Sequence, residues 1–102
     1  MRRGFILSGP ATRDLDEIFS YVLEDSGADR AWGVVDELHK AFRKLAESPV
    51  LGHYREDLTS SPLLLWSVWS YLVIYKPDTK PLEIVRVLHG ARDVEAILGE
   101  AE

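Results

Sequence analysis

Two amphipathic stretches, placed back to back in the first half, constrain what this chain can fold into more than any other feature. Leu15, Ile18, Phe19 and Val22 recur at the i, i+3, i+4, i+7 spacing that lines up side chains on one helix face. Ala31, Val34, Val35, Leu38, Ala41, Phe42 and Leu45 continue the three- and four-residue steps as a second continuous stripe. Gly9-Pro10 marks the start of the first helix, because proline is tolerated where the helix leaves an N–H unpaired anyway. Ser26-Gly27 separates the two helices. Pro49 stops the second by Ser48, since the residue before proline is pushed out of helical geometry. Asp14, Asp16 and Glu17 fall in the first turns of the first helix, where the helix dipole favours negative charge. Two such helices form an antiparallel hairpin. Each stripe still needs something else to cover it.

The second half supplies that cover. Residues 63–66 and 69–75 are rich in Leu, Val, Ile and aromatics, and residues 82–89 give another β-rich run closed by Gly90. Lys76, Pro77, Asp78, Thr79, Lys80 and Pro81 form a turn by composition. Phe5, Ile6 and Leu7 are a short apolar run before the first helix, and residues 93–99 carry Val94, Ile97 and Leu98 at helical spacing behind Asp93 as N-cap. The order β-α-α-β-β-β-α predicts an α+β fold: an N-terminal strand, an antiparallel helix hairpin packed on a mostly antiparallel sheet, and a short C-terminal helix. At 102 residues the chain is expected to form one domain, residues 1–102.

Composition then removes function classes. There is no cysteine, which excludes disulfides, thiolate zinc sites and cysteine nucleophiles. His39, His53 and His89 are far apart and form no His-x-x-x-His pair, so neither a metal nor another cofactor is expected. Twelve Lys+Arg against seventeen Asp+Glu give a formal charge of −5, a poor starting point for binding polyanions. The apolar run near the N-terminus is too short for a secretory signal, and the greasiest stretch, residues 63–75, is too short to span a bilayer. A cytoplasmic protein with no membrane partner is expected.

Several motifs, in order, resemble the RelE/ParE toxin superfamily. They are Ser8-x-Pro10-Ala11-x-x-Asp14-Leu15-x-x-Ile18, then Ser48-Pro49-x-x-Gly52-x-x-Arg55-x-Asp57-Leu58, then Trp66-x-Val68-x-Ser70-Tyr71-Leu72-x-x-Tyr75-x-Pro77, and finally Arg86-Val87-Leu88-His89-Gly90-Ala91-Arg92-Asp93. The resemblance implies a toxin of a type II toxin–antitoxin module, neutralised by a cognate antitoxin in a hetero-oligomer, and the last motif resembles the ParE-like branch. ParE-like members inhibit DNA gyrase by binding. RelE-like members cleave mRNA on the ribosome.

The chemistry favours the first branch. RNA cleavage through its own 2′-OH needs a proton acceptor, a proton donor and cations on the phosphate. His89, flanked by Arg86 and Arg92, is the best set this chain offers; hydrogen bonds tying the strand end to the last helix are the plainer account of the same residues. From Leu51 onward there are five Lys+Arg against eight Asp+Glu, and Leu64 stands where relatives often carry an arginine. The reading is therefore a gyrase inhibitor with no catalytic residues, with a ribosome-dependent mRNA endonuclease using His89, Arg86 and Arg92 as one alternative. A degenerate module that binds antitoxin without toxicity is another. Candidate contact residues for antitoxin or target are Leu64, Trp66, Trp69, Arg55, Lys76, Arg86, His89 and Arg92. If the strand is regular, Trp66 and Trp69 fall on opposite faces, and an exposed tryptophan beside Leu63, Leu64 and Leu65 would make an apolar patch. Tyr71 and Tyr75 share a face; they pack against the helices or form a platform on which bases stack.

Overall fold

The computed structural model describes residues 4–54 and 63–89. Their order is β1 (Phe5–Leu7), α1 (Gly9–Ser26), α2 (Ala28–Glu47), a 3₁₀ turn (Pro49–Leu51), β2 (Leu64–Val68), β3 (Tyr71–Lys76) and β4 (Leu82–His89). The strands form one sheet in the order β1-β4-β3-β2, with β1 parallel to β4 and the other pairs antiparallel. This is the α+β architecture the sequence predicts. The expected C-terminal helix, residues 93–99, lies outside the described residues.

Local chemistry sets the helix ends. Ser8 caps α1: its Oγ accepts from the Ala11 N–H at 3.0 Å, and Pro10 sits in the first turn. Gly27 alone links the helices, with a φ of +90° that suits a residue without a Cβ. The second helix begins at Ala28, a turn earlier than its apolar stripe, and ends at Glu47 before Pro49. The two stripes then meet the sheet. Leu15, Val34, Leu38, Phe42 and Leu45 bury against Leu64, Val73, Tyr75, Ile84 and Val87. On the opposite sheet face Leu63, Leu65, Ile74 and Leu88 form a second buried cluster.

Two sequence expectations change here. Strand β2 runs on through Val68, so Trp69 is not part of the next strand; it and Ser70 make the two-residue loop between the paired Val68 and Tyr71. The period-two argument for Trp66 and Trp69 therefore does not apply. Leu63, Leu64 and Leu65 are all buried, so no leucine patch lies beside the exposed Trp69.

Tyr71 and Tyr75 do share the helix-facing side, but Tyr75 is fully buried and cannot stack a base. Its hydroxyl donates to the Pro49 C=O at 2.6 Å and accepts from the Gly52 N–H at 2.8 Å. Burial pushes this phenol above its ordinary pKa, with the Gly52 hydrogen bond pulling back. A Cβ on Gly52 would sit 2.5 Å from the hydroxyl and 3.0 Å from the Leu65 C=O, which leaves room for glycine alone. Tyr75→Phe strands two backbone groups and is expected to cost about 1–3 kcal/mol. Gly52→Ala is expected to cost a similar amount by overpacking, about 1–3 kcal/mol. Urea denaturation measures both, and a loss under about 0.5 kcal/mol, the range of a neutral surface change, would show that neither contact holds the segment after α2 in place.

Candidate functional site

Strand β1 stops at Leu7, yet β4 continues to His89, so among the described residues no strand pairs with the upper half of β4 on its β1 side. Helix α1 takes over that edge. The Ser8 N–H donates to the Ile84 C=O at 3.0 Å and its hydroxyl donates to the Val85 C=O at 2.7 Å. Val85 has no opposite residue on β3, because the register shifts there. Two turns along α1, Asp14 Oδ2 accepts from the Val87 N–H at 2.9 Å.

The same carboxylate holds Arg86. Arg86 Nε donates to Asp14 Oδ2 at 2.7 Å and Nη2 donates to Oδ1 at 2.8 Å, a two-pronged pair with Asp14 only 6% exposed. Its hydrogen bonding to the Asp14 carboxylate raises the guanidinium pKa, burial opposing it, so Arg86 is charged throughout the accessible pH range. Asp14 is therefore not a dipole-complementing residue of the first turn, which holds no acidic side chain. It sits on the apolar stripe and needs Arg86 to be there. A charge at a stripe position was the signal available in the sequence.

Beyond this pair a cleft of about 440 Å³ opens between α1 and the sheet, lined by Glu17, Ile18, Tyr21, Tyr71 and His89. His89 is exposed at the strand end, with its ring edge-on to Tyr71 at 5.3 Å between centroids. Burial, then the neighbouring Tyr21, push the Tyr71 phenol above its ordinary pKa, while Arg30 lowers it. Tyr71 thus ionises less readily than an exposed tyrosine. Arg86 and His89 do come together, as the sequence suggests. Two of the guanidinium nitrogens, though, are spent on Asp14 rather than offered to a phosphate.

The remaining candidates scatter. Leu64 is 5% exposed beneath the helices and offers no contact surface. Lys76 lies at the far end of β3 from His89 and faces Glu83 at 3.6 Å. Trp66 is half-buried under Lys44, whose Nζ lies 5.3 Å from the ring centroid. Trp69 projects from the hairpin tip, 64% exposed. Arg55 and Arg92 lie outside the described residues. His39 packs between Phe5 and Phe42, and His53 pairs its backbone with Leu65 at the sheet edge.

Sequence reasoning passed over Trp32. It is 59% exposed on α2 and meets Phe19 of α1 edge-on at 4.8 Å, beside a groove of about 400 Å³ between the helices. Trp32, Val35 and His39 follow one another at helical spacing along the border of the buried stripe, which was the available sign. Among the described residues no group of three or more His, Asp or Glu side chains is placed to hold a metal ion. Nor does any described helix have the length and apolarity to cross a membrane.

Comparison with known proteins agrees with this geometry. A family model described as the ParE toxin of the type II toxin–antitoxin system parDE matches residues 5–94. Toxin ParE3 of Caulobacter vibrioides is 32% identical over 95 residues, covering 93% of this chain and 94% of that protein. Toxin ParE1 of the same organism is 33% identical over 93 residues, covering 91% and 95%. A chain from a solved chromosomal ParDE TA system of P. aeruginosa superposes with a TM-score of 0.72 over 87% of this chain and 97% of its own, at 17% identity, a likeness of fold.

Asp14→Ala leaves a half-buried guanidinium without its carboxylate and the Val87 N–H without an acceptor. Both Asp14→Ala and Arg86→Ala are expected to destabilise by about 3 kcal/mol, the range for breaking a buried pair, and to be strongly non-additive in the double variant. Denaturant titration of the four proteins measures this. Additive losses, or a loss below about 0.5 kcal/mol for Arg86→Ala, would mean that Arg86 is available for another partner.

Proposed function

The chain belongs to the ParE toxin family of type II toxin–antitoxin systems, and we propose that, freed from its antitoxin, it inhibits DNA gyrase by binding rather than by catalysis. The observation that carries this reading is the Asp14–Arg86 pair. A ribonuclease needs an available cation on the scissile phosphate, and Arg86, the arginine that shares the cleft with His89 among the described residues, is held along one edge by two hydrogen bonds to Asp14. Tyr71 beside it, its phenol pushed above its ordinary pKa by burial, ionises less readily than a free tyrosine would. The sheet half of the chain is net acidic, which also disfavours an RNA substrate. A single toxin domain in the cytoplasm, paired with its antitoxin, fits these features and the family match over residues 5–94.

Gyrase supercoiling with the purified protein in excess tests the reading, alongside a ribosome-programmed mRNA. The expected result is loss of supercoiling, relieved by the antitoxin, with the mRNA intact. Cleavage of the mRNA, abolished by His89→Ala, with supercoiling untouched, would put the chemistry on His89 and overturn the proposal. A chain that affects neither assay and does not slow growth would be the degenerate, antitoxin-binding module.

A further inference from the structure

Trp69 breaks a local rule that nothing in the fold requires it to break. Its φ is +55°, the one positive value among the described non-glycine residues. In a two-residue hairpin loop whose first residue alone has positive φ, glycine is the favoured occupant, because a Cβ there crowds the backbone. A bulky indole is poorly suited to it, and here it packs into no core: its side chain stands in solvent at the tip of the β2–β3 hairpin. Backbone strain kept at an exposed aromatic points to a role outside folding.

The surroundings say what that role is. Trp69 shares a shallow cleft of about 310 Å³ with Trp66, Lys40, Lys44 and Glu37. Lys44 is held over the Trp66 ring, and Lys40 is exposed with Glu37 at 3.4 Å. The patch therefore couples a projecting indole to two ammonium groups on a chain whose formal charge is −5. A convex aromatic needs a pocket on the partner, and tryptophan is among the strongest single anchors at protein interfaces. A short antitoxin segment laid across the toxin needs the reverse, a groove on the toxin itself. Glu37 within the patch and the overall acidity disfavour nucleic acid.

We propose that the β2–β3 tip and the adjoining face of α2 are the surface through which this toxin engages its protein target, Trp69 entering an apolar pocket rimmed by carboxylates that Lys40 and Lys44 meet. The inference rests on the reading of the chain as a toxin that acts by binding, and it does not depend on which protein is the target.

Trp69→Gly tests it without endangering the fold, since glycine suits the positive φ and is expected to leave the melting temperature unchanged or raised. Growth arrest on expression, gyrase supercoiling and titration with the antitoxin are read for wild type, Trp69→Gly and the Lys40→Glu/Lys44→Glu double variant. Both variants are expected to lose at least tenfold in toxicity while binding antitoxin within twofold of wild type. The charge reversal is expected to remove most of the salt dependence of inhibition. Retained toxicity in Trp69→Gly overturns the proposal. So does a matching loss of antitoxin affinity, which would give the surface to the antitoxin, or a loss of DNA binding in a gel shift, which would give it to nucleic acid. A wild type that arrests nothing overturns it too. A wild type that arrests growth without touching gyrase refutes the proposed target alone, and tip variants that then abolish the arrest still support the surface.

Discussion

Strand β4 outlives its neighbour, and the structure is organised around how that exposed edge is satisfied. Backbone groups of a strand removed from water need partners, and β1 provides them only as far as Leu7. From there Ser8 and Asp14 complete the edge, accepting and donating where a strand would have done so. Because Ser8 caps α1 and Asp14 lies on it, the contacts tie this helix to the sheet edge. Asp14 is nearly buried, which is tolerable only with Arg86 and the Val87 N–H together on its carboxylate. Helix placement, the bulge at Val85 and the loss of a free cation in the cleft are consequences of one short strand.

The parts of this that were legible in the sequence are those governed by local periodicity. The stripes from Leu15 to Val22 and from Ala31 to Leu45, with Pro49 behind them, specify two helices and their end without reference to anything distant. The Asp14–Arg86 pair spans 72 positions, and periodicity carries no information across such a gap. Asp14 reads as a dipole-friendly charge when counted from the helix start and as an anomaly when counted along the stripe. Only the second count is sensitive to burial. The two-residue loop at Trp69 was illegible for the opposite reason: it carries no Gly, Pro, Asn or Asp, and Ser70 alone is too weak a turn signal between two apolar runs. Leu64 looked like a missing surface cation because sequence alone does not say which face a strand residue takes, and it takes the helix face.

Gly52 shows how a motif residue acquires its reason. Within Ser48-Pro49-x-x-Gly52 it reads as a loop glycine. In space it is the point where the chain leaving α2 passes against the Tyr75 hydroxyl and the Leu65 carbonyl, closer than any Cβ allows. Tyr75 in turn is buried because its hydroxyl has two backbone partners there. An aromatic that could have been a stacking surface is instead the clamp between the end of the helix hairpin and the sheet.

These arrangements bear on how such a chain can act at all. Arg86 is gripped by Asp14 and Lys76 faces Glu83, so the cations on the described strands are answered within the molecule. On the described strands, transition-state stabilisation of a phosphate would have to draw on these engaged cations. Large aromatics, in contrast, are left outward: Trp32 on α2, Tyr21 on α1 and Trp69 at the hairpin tip. Exposed indoles and phenols gain little in water and much when a partner covers them. Outward indoles at the hairpin tip and on α2 therefore suit a surface that a protein partner covers.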